Sequence, residues 1–165
     1  MRSHPRPEPT KPGQESVWSY PRPPALRRSS KPVRVTLGGV VVCDAPESWL
    51  VLETSHPPTY YLPRSAFVDG SLRPAPGGSY CEWKGPAGYL DVVGGRAAPA
   101  AAWYYPSPSP GFEVLVDHVA LYAGRMDCCT VGDETVTPQP GGFYGGWITQ
   151  ELTGPFKGEP GTNHW

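Results

Sequence analysis

Short apolar runs, broken by Gly, Pro and polar pairs, recur along this chain at a spacing of roughly ten residues, the rhythm of antiparallel strands joined by turns. In "VRVTLGGVVVCD" (33–44) two β-branched runs flank Gly38-Gly39. Paired glycines accept the positive φ angles of a tight turn, so this block predicts a hairpin. "WLVLETS", "TYYLP", "SYCEWKG", "GYLDVVG", "AAWYYP" and "HVALYAG" are further strand candidates. Only "GFEVLVDHVALY" (111–122) is long enough for a turn or two of helix. No internal repeat is evident. The pattern predicts a mainly β fold of antiparallel sheet with little helix.

The organisation follows from where this pattern starts and where it changes. Residues 1–16 are polar and Pro-rich, without a hydrophobic period, and read as an arm. Residues 17–165 read as one β domain. Its first segment, "VWSYPRPP" (17–24), has Pro-fixed extended backbone and two rings to pack along the body. Its last, "TPQPGGFYGGWITQELTGPFKGEPGTNHW" (137–165), sets glycines beside Phe143, Tyr144, Trp147 and Phe156. Glycine lets backbone approach closely while the rings form walls. This predicts either a concave aromatic surface or a long coil strapped over the core.

Composition sharpens the picture. The 165 residues match the length of one domain with one core. The 23 Pro and 20 Gly approach the level of low-complexity chains, but six Trp and nine Tyr are too many buried rings for a disordered one. Lys plus Arg (14) nearly balance Asp plus Glu (15), so a net charge of -1 supplies no long-range field for nucleic acid. No apolar run reaches the roughly twenty residues of a membrane span. The opening "MRSHPRPEPTKP" lacks the apolar stretch of a signal peptide. A cytoplasmic protein with free thiols is the expectation. Cys43, Cys81, Cys128 and Cys129 contain no C-x-x-C pair, so no structural metal is expected.

Candidate chemistry concentrates in "YCEWKG" (80–85). Drawn as one strand, it places Tyr80, Glu82 and Lys84 on one face and Cys81 and Trp83 on the other. A bulge at Gly85 would be needed to bring Cys81 and Lys84 together. In the plain structural reading Cys81 and Trp83 are core and Glu82 pairs with Lys84 in water. In the functional one, Lys84 and Glu82 lie in a pocket lidded by the aromatic tail, where desolvation shifts the lysine toward acid-base work. In "ETSHPPTYY" (53–61) a Glu53–His56 interaction requires the chain to fold back, which the two prolines allow. Phosphate-loop, dinucleotide and G-x-S-x-G signatures are absent.

The blocks "ESVWSYPRPP", "VLETSHPPTYYLPR", "YCEWKGPAGYLDV", "AAWYYPSPSPGF", "HVALYAGRMDCC" and "PQPGGFYGGWITQELTGPFKGEPGT" together resemble domain-of-unknown-function family 427, an uncharacterised and largely bacterial family. The resemblance spans about residues 14–165 and implies a bent antiparallel sheet domain, in outline like methionine sulfoxide reductase B and β-tent domains. The blocks Cys81–Gly85 and Gly154–Gly158 look like its hallmarks. Cys81 and Cys129 match family positions, whereas Cys43 and Cys128 depart from the pattern. The family carries a nucleotidyltransferase-like label, but no residues for that chemistry stand out here.

The expected function is acid-base or Schiff-base chemistry, of isomerase, lyase or cyclase type, on a small anionic or polar metabolite. Lys84 is the expected proton carrier or amine nucleophile, with Glu53, His56, Glu82 and Cys81 around it. Tyr60, Trp83, Trp103, Tyr105, Phe143, Tyr144 and Trp147 are the expected walls, and Arg22 and Lys157 the anion holders. No cofactor, metal, nucleic acid or membrane partner is expected, and a homodimer is left open. The alternative is a non-catalytic module that binds a ligand or a protein through the same rings. A third reading makes Cys81 a redox thiol.

Overall fold

The β-branched and aromatic runs fold as strands in a computed structural model describing residues 5–81, 83–158, 162 and 165. Along the chain these are β1 (Glu15–Ser16), β2 (Ala25–Ser29), β3 (Val33–Leu37), β4 (Val40–Ala45), β5 (Ser48–Leu52), β6 (Thr59–Pro63), β7 (Leu72–Cys81) and β8 (Gly85–Val93). They continue with β9 (Ala97–Tyr104), β10 (His118–Leu121), β11 (Cys128–Val131), β12 (Glu134–Thr135), β13 (Thr137–Pro138), β14 (Trp147–Ile148) and β15 (Leu152–Thr153). A seven-stranded antiparallel sheet runs β2-β5-β6-β10-β9-β8-β7, and a four-stranded one β12-β11-β3-β4. Among the described residues helix is confined to single 3-10 turns. Among the described residues no helix is long and apolar enough to cross a membrane.

The Gly38-Gly39 hairpin forms as expected, with φ of 60° and 76°. Asp127 caps it by accepting the Gly39 N–H at 2.8 Å. The turn then docks on the β8–β9 turn, where the Gly95 N–H donates to Leu37 O at 2.9 Å. A Cβ on Gly95 would lie 1.8 Å from the Gly38 carbonyl oxygen, so only glycine lets the two sheets meet there.

Both faces of the large sheet are covered, which explains why "WLVL" and "YYL" read as continuous apolar runs rather than alternating ones. Leu50, Leu52, Tyr60, Leu62, Val119 and Leu121 pack with Val33, Val35, Leu37, Val42 and Cys129 of the small sheet in the main core. Each such side chain contributes about 1.5–3 kcal/mol when fully buried. On the opposite face Val51, Tyr61, Ala87, Tyr105 and Ala120 form a second cluster with Phe112 and Leu115.

Two local expectations are corrected. The stretch 111–122 is not helical beyond the turn Glu113–Leu115; His118–Leu121 is instead an interior strand, paired with β6 and β9. Burial of Val119, Ala120 and Leu121 between neighbours outweighs a weak local preference. Nor is "SYCEWKG" one strand. β7 ends at Cys81, which sits opposite Gly85 (φ 102°) at the start of β8, so Trp83 and Lys84 lie in the hairpin connection.

The tail is pinned by Trp147, 1% exposed. Its indole stacks on Tyr60 at 4.8 Å and 15°. The ring N–H donates to Leu121 O at 3.3 Å, and the main-chain N–H to Pro58 O at 2.8 Å. The N-terminal arm lies along this tail: Glu8 and Gly154 exchange bonds of 2.8 and 2.6 Å, and β1 pairs in parallel with β15. Trp147→Ala is expected to cost about 3–5 kcal/mol. Equilibrium denaturant unfolding of the two proteins measures it; a loss under 1 kcal/mol would show that the tail is not anchored there.

Candidate functional site

The second face of the large sheet holds a cavity of about 390 Å³. Val51 and Glu53 follow along β5 and its exit, Thr59 and Tyr61 come from β6, Trp103 and Tyr105 from the end of β9, Tyr89 from β8 and Ser79–Cys81 from β7. Tyr89, Trp103 and Ala120 are direct cross-strand partners. Lys84 enters from the β7–β8 turn. Gln139, Phe143, Tyr144, Gly145 and Lys157 of the tail form the roof. A Cβ on Gly145 would lie 2.1 Å from the Trp103 ring, so the strap reaches this depth only as glycine.

Of the residues expected from sequence, the fold gathers Glu53, His56, Cys81, Lys84, Trp103, Tyr105, Phe143, Tyr144 and Lys157 around this cavity. Cys81 and Lys84 meet there because the strand stops at Cys81 and the turn carries Lys84 back. Glu82 lies outside the described residues. Four expected wall or anion residues are elsewhere. Tyr60 points to the opposite face because neighbours on a strand alternate, and Tyr61 lines the cavity in its place. Trp147 is in the main core beneath Tyr60. Trp83 packs from outside against the second cluster. Arg22 is not on the wall: its Nη2 donates to Thr54 O at 3.4 Å and its Nε is 4.0 Å from Glu53 Oε2. Tyr89, Tyr122 and Gln139 were not anticipated. The tyrosines share the strand signal already noted; Gln139 stands between two prolines in a coil and offers no signal at all.

Electrostatics at the site begin with a tight turn. The His56 N–H donates to Glu53 O at 3.0 Å, and Ser55 takes a left-handed φ of 69°, a strained value for serine. This turn brings His56 Nε2 to 3.6 Å from Glu53 Oε2. The His56 side chain is 13% exposed and edge-on to Tyr144 at 4.8 Å. Burial foremost, then the charges of Lys157, Arg22 and Lys84, pushes its pKa down to about 4, so the imidazole is neutral at neutral pH. Its Nδ1 lies 3.0 Å from Gln139 Nε2. Burial also raises the Tyr61 and Tyr105 hydroxyls, which stay protonated.

Lys84 Nζ lies 5.7 Å from the centre of the Tyr105 ring and Lys157 Nζ 5.5 Å from that of Tyr144. Lys157 also donates to Trp165 O at 3.3 Å. Five cations elsewhere are paired, Arg27 with Glu15, Arg28 with Glu47, Lys31 with Glu151, Arg34 with Asp44 and Arg96 with Asp127, whereas Arg64 lies over the Tyr104 ring and Arg125 donates to Pro99 O. Among the described residues no side-chain carboxylate pairs with Lys84 or Lys157. Nor do any three His, Cys, Asp or Glu there cluster to hold a metal ion. Cys129, kept open by the family resemblance, is 1% exposed in the main core, and burial raises its thiol pKa.

A family model described as Domain of unknown function (DUF427) matches residues 25–132. The chain belongs to that family. No curated protein matches it. The stretch matched to DUF427 contains Glu53, His56, Cys81, Lys84, Trp103 and Tyr105, while the roof residues Gln139 to Lys157 follow it.

The buried imidazole makes the stability of this DUF427 protein pH-dependent. Above pH 6.5 His56 is neutral both folded and unfolded. As pH falls toward 4 the unfolded chain takes up a proton that the folded site refuses, so stability is lost across that window and levels off below it. The wild type is expected to lose on the order of 3 kcal/mol more than His56→Gln between pH 7 and pH 4. Urea unfolding of both proteins at the two pH values checks this, and parallel losses would refute a buried neutral His56.

Proposed function

We propose that this DUF427 protein is a small-molecule enzyme of acid-base type, acting on a small anionic or polar metabolite with a planar or cyclic skeleton. One observation carries the reading: a single cavity joins the Glu53–His56 pair to two lysines, neither paired with an Asp or Glu side chain among the described residues, inside walls of Tyr and Trp. Lys84 and Lys157, both half-buried on one cavity, attract an anionic group at short range. The ring faces suit a flat substrate, and protonated tyrosines donate to its polar edges. Glu53 Oε2 and His56 Nε2 stand 3.6 Å apart, close enough for one substrate group lying beside them to reach both. Lys84 anchors the anion, moves a proton, or condenses with a carbonyl; the reaction is of isomerase, lyase or cyclase type. A cytoplasmic setting belongs to the same reading.

The test starts from a thermal-shift screen of cyclic and aromatic carboxylates and phosphates. Compounds that bind are incubated with the protein in D₂O and followed by NMR, and with borohydride to trap an imine. Deuterium entering a carbon position of a bound compound, or its conversion, is the expected result. Lys84→Met should weaken binding about tenfold or more, or about 1.4 kcal/mol, and abolish conversion. Glu53→Gln should bind nearly as well while exchange falls about a hundredfold or more. Tight ligands that are never exchanged or converted would replace the enzyme with a binding module.

A further inference from the structure

Gln139 is almost fully buried, at 4% exposure, and all of its side-chain groups in the roof are engaged. Its Oε1 accepts the Gly146 N–H at 3.1 Å, and its Nε2 donates to Lys157 O at 2.8 Å. These two main-chain partners determine which end of the amide is which. Turning it over would set the amide nitrogen against an N–H and the amide oxygen against a carbonyl, losing both bonds in a buried place. The second hydrogen on Nε2 therefore points at His56 Nδ1, 3.0 Å away. A nitrogen that receives a hydrogen bond carries no proton, so the ring proton resides on Nε2, the nitrogen facing Glu53.

We infer that Gln139 is a positioning residue that locks His56 as the neutral Nε2–H tautomer, making His56 a fixed hydrogen-bond donor to the cavity and leaving Glu53 as its base. The functional half of this statement rests on the acid-base reading; the tautomer itself does not. Every charged group facing the ring is consistent with it: Lys157, Arg22 and Lys84 disfavour a second proton, and Glu53 lies on the Nε2 side. A neutral imidazole that donates is suited to polarising a carbonyl or stabilising a developing oxyanion, whereas an imidazole with a free nitrogen is suited to removing a proton. Through Gln139, the backbone at Gly146 and Lys157 thus assigns which nitrogen carries the proton at His56, 83 positions before that glutamine.

Long-range ¹H–¹⁵N NMR of the ligand-free protein at pH 7 tests this directly, with the His56 signals assigned among the four histidines through His56→Gln. The expected result is an unprotonated Nδ1 and a protonated Nε2. A protonated Nδ1, or two tautomers in rapid exchange, overturns the inference. Gln139→Glu replaces the donor with an acceptor, and should move the proton to Nδ1 and raise the His56 titration by about one to three pH units. An unchanged tautomer in that variant also overturns it. Should the buried carboxylate prevent folding, Gln139→Met removes the donor without adding charge, and is expected to show averaged tautomers. Deuterium exchange that fails while the tautomer holds counts against the acid-base reading alone. A reversed tautomer with exchange intact counts against this inference alone.

Discussion

The Trp147 indole, wedged against Tyr60 in the main core, is the constraint on which the site depends. It contributes no atom to the cavity. By fixing one point of an otherwise irregular tail, it sets Gly145 on the Trp103 ring and Gly146 against Pro57 and Gln139. From there the roof follows: Phe143 and Tyr144 lie over the cavity, and Gln139 reaches both His56 and Lys157. Apolar burial, the strongest term available to the chain, holds in place polar contacts whose own net contribution is small.

The large sheet performs two tasks because its central strands β5, β6 and β10 are apolar on both sides. One face closes the main core against the small sheet; the other supplies the floor and walls of the cavity. The adjacent pair Tyr60-Tyr61 shows the division at its smallest scale. One ring anchors the tail and the other lines the space beneath it, one residue apart and on opposite sides. A substitution in this strand therefore couples stability to site geometry more closely than its distance from the polar groups implies.

Charge follows a similar division. A net charge of -1 describes a chain in which about half of the outer cations sit beside carboxylates, in exposed pairs that contribute little to stability. The lysines of the cavity lie against the Tyr105 and Tyr144 rings instead, Lys157 also donating to Trp165 O, and share the cavity with a neutral imidazole and the Glu53 carboxylate. Overall balance thus conceals a local grouping of two ammonium groups, one carboxylate and a neutral imidazole. It argues against long-range steering, and says nothing about what a sheltered pair of ammonium groups will hold at short range.

The sequence by itself determined the mainly β class, the Gly38-Gly39 hairpin, the DUF427 membership and the aromatic, glycine-rich character of the tail. Each rests on local pattern or on composition, which are fully present in one dimension. It also pointed to Glu53, His56 and Lys84, because reactive groups beside turn residues are visible in short stretches. Only the tertiary structure decided that Tyr61 and not Tyr60 faces the cavity, since alternation separates two neighbours without saying which side will be roofed. The same holds for Trp147, whose place as an anchor depends on a strand that precedes it by more than eighty residues. Gln139 shows the limit most plainly: its role consists of contacts to Gly146, Lys157 and His56, and no pattern around a glutamine between two prolines encodes partners that distant folding brings within 3.1 Å.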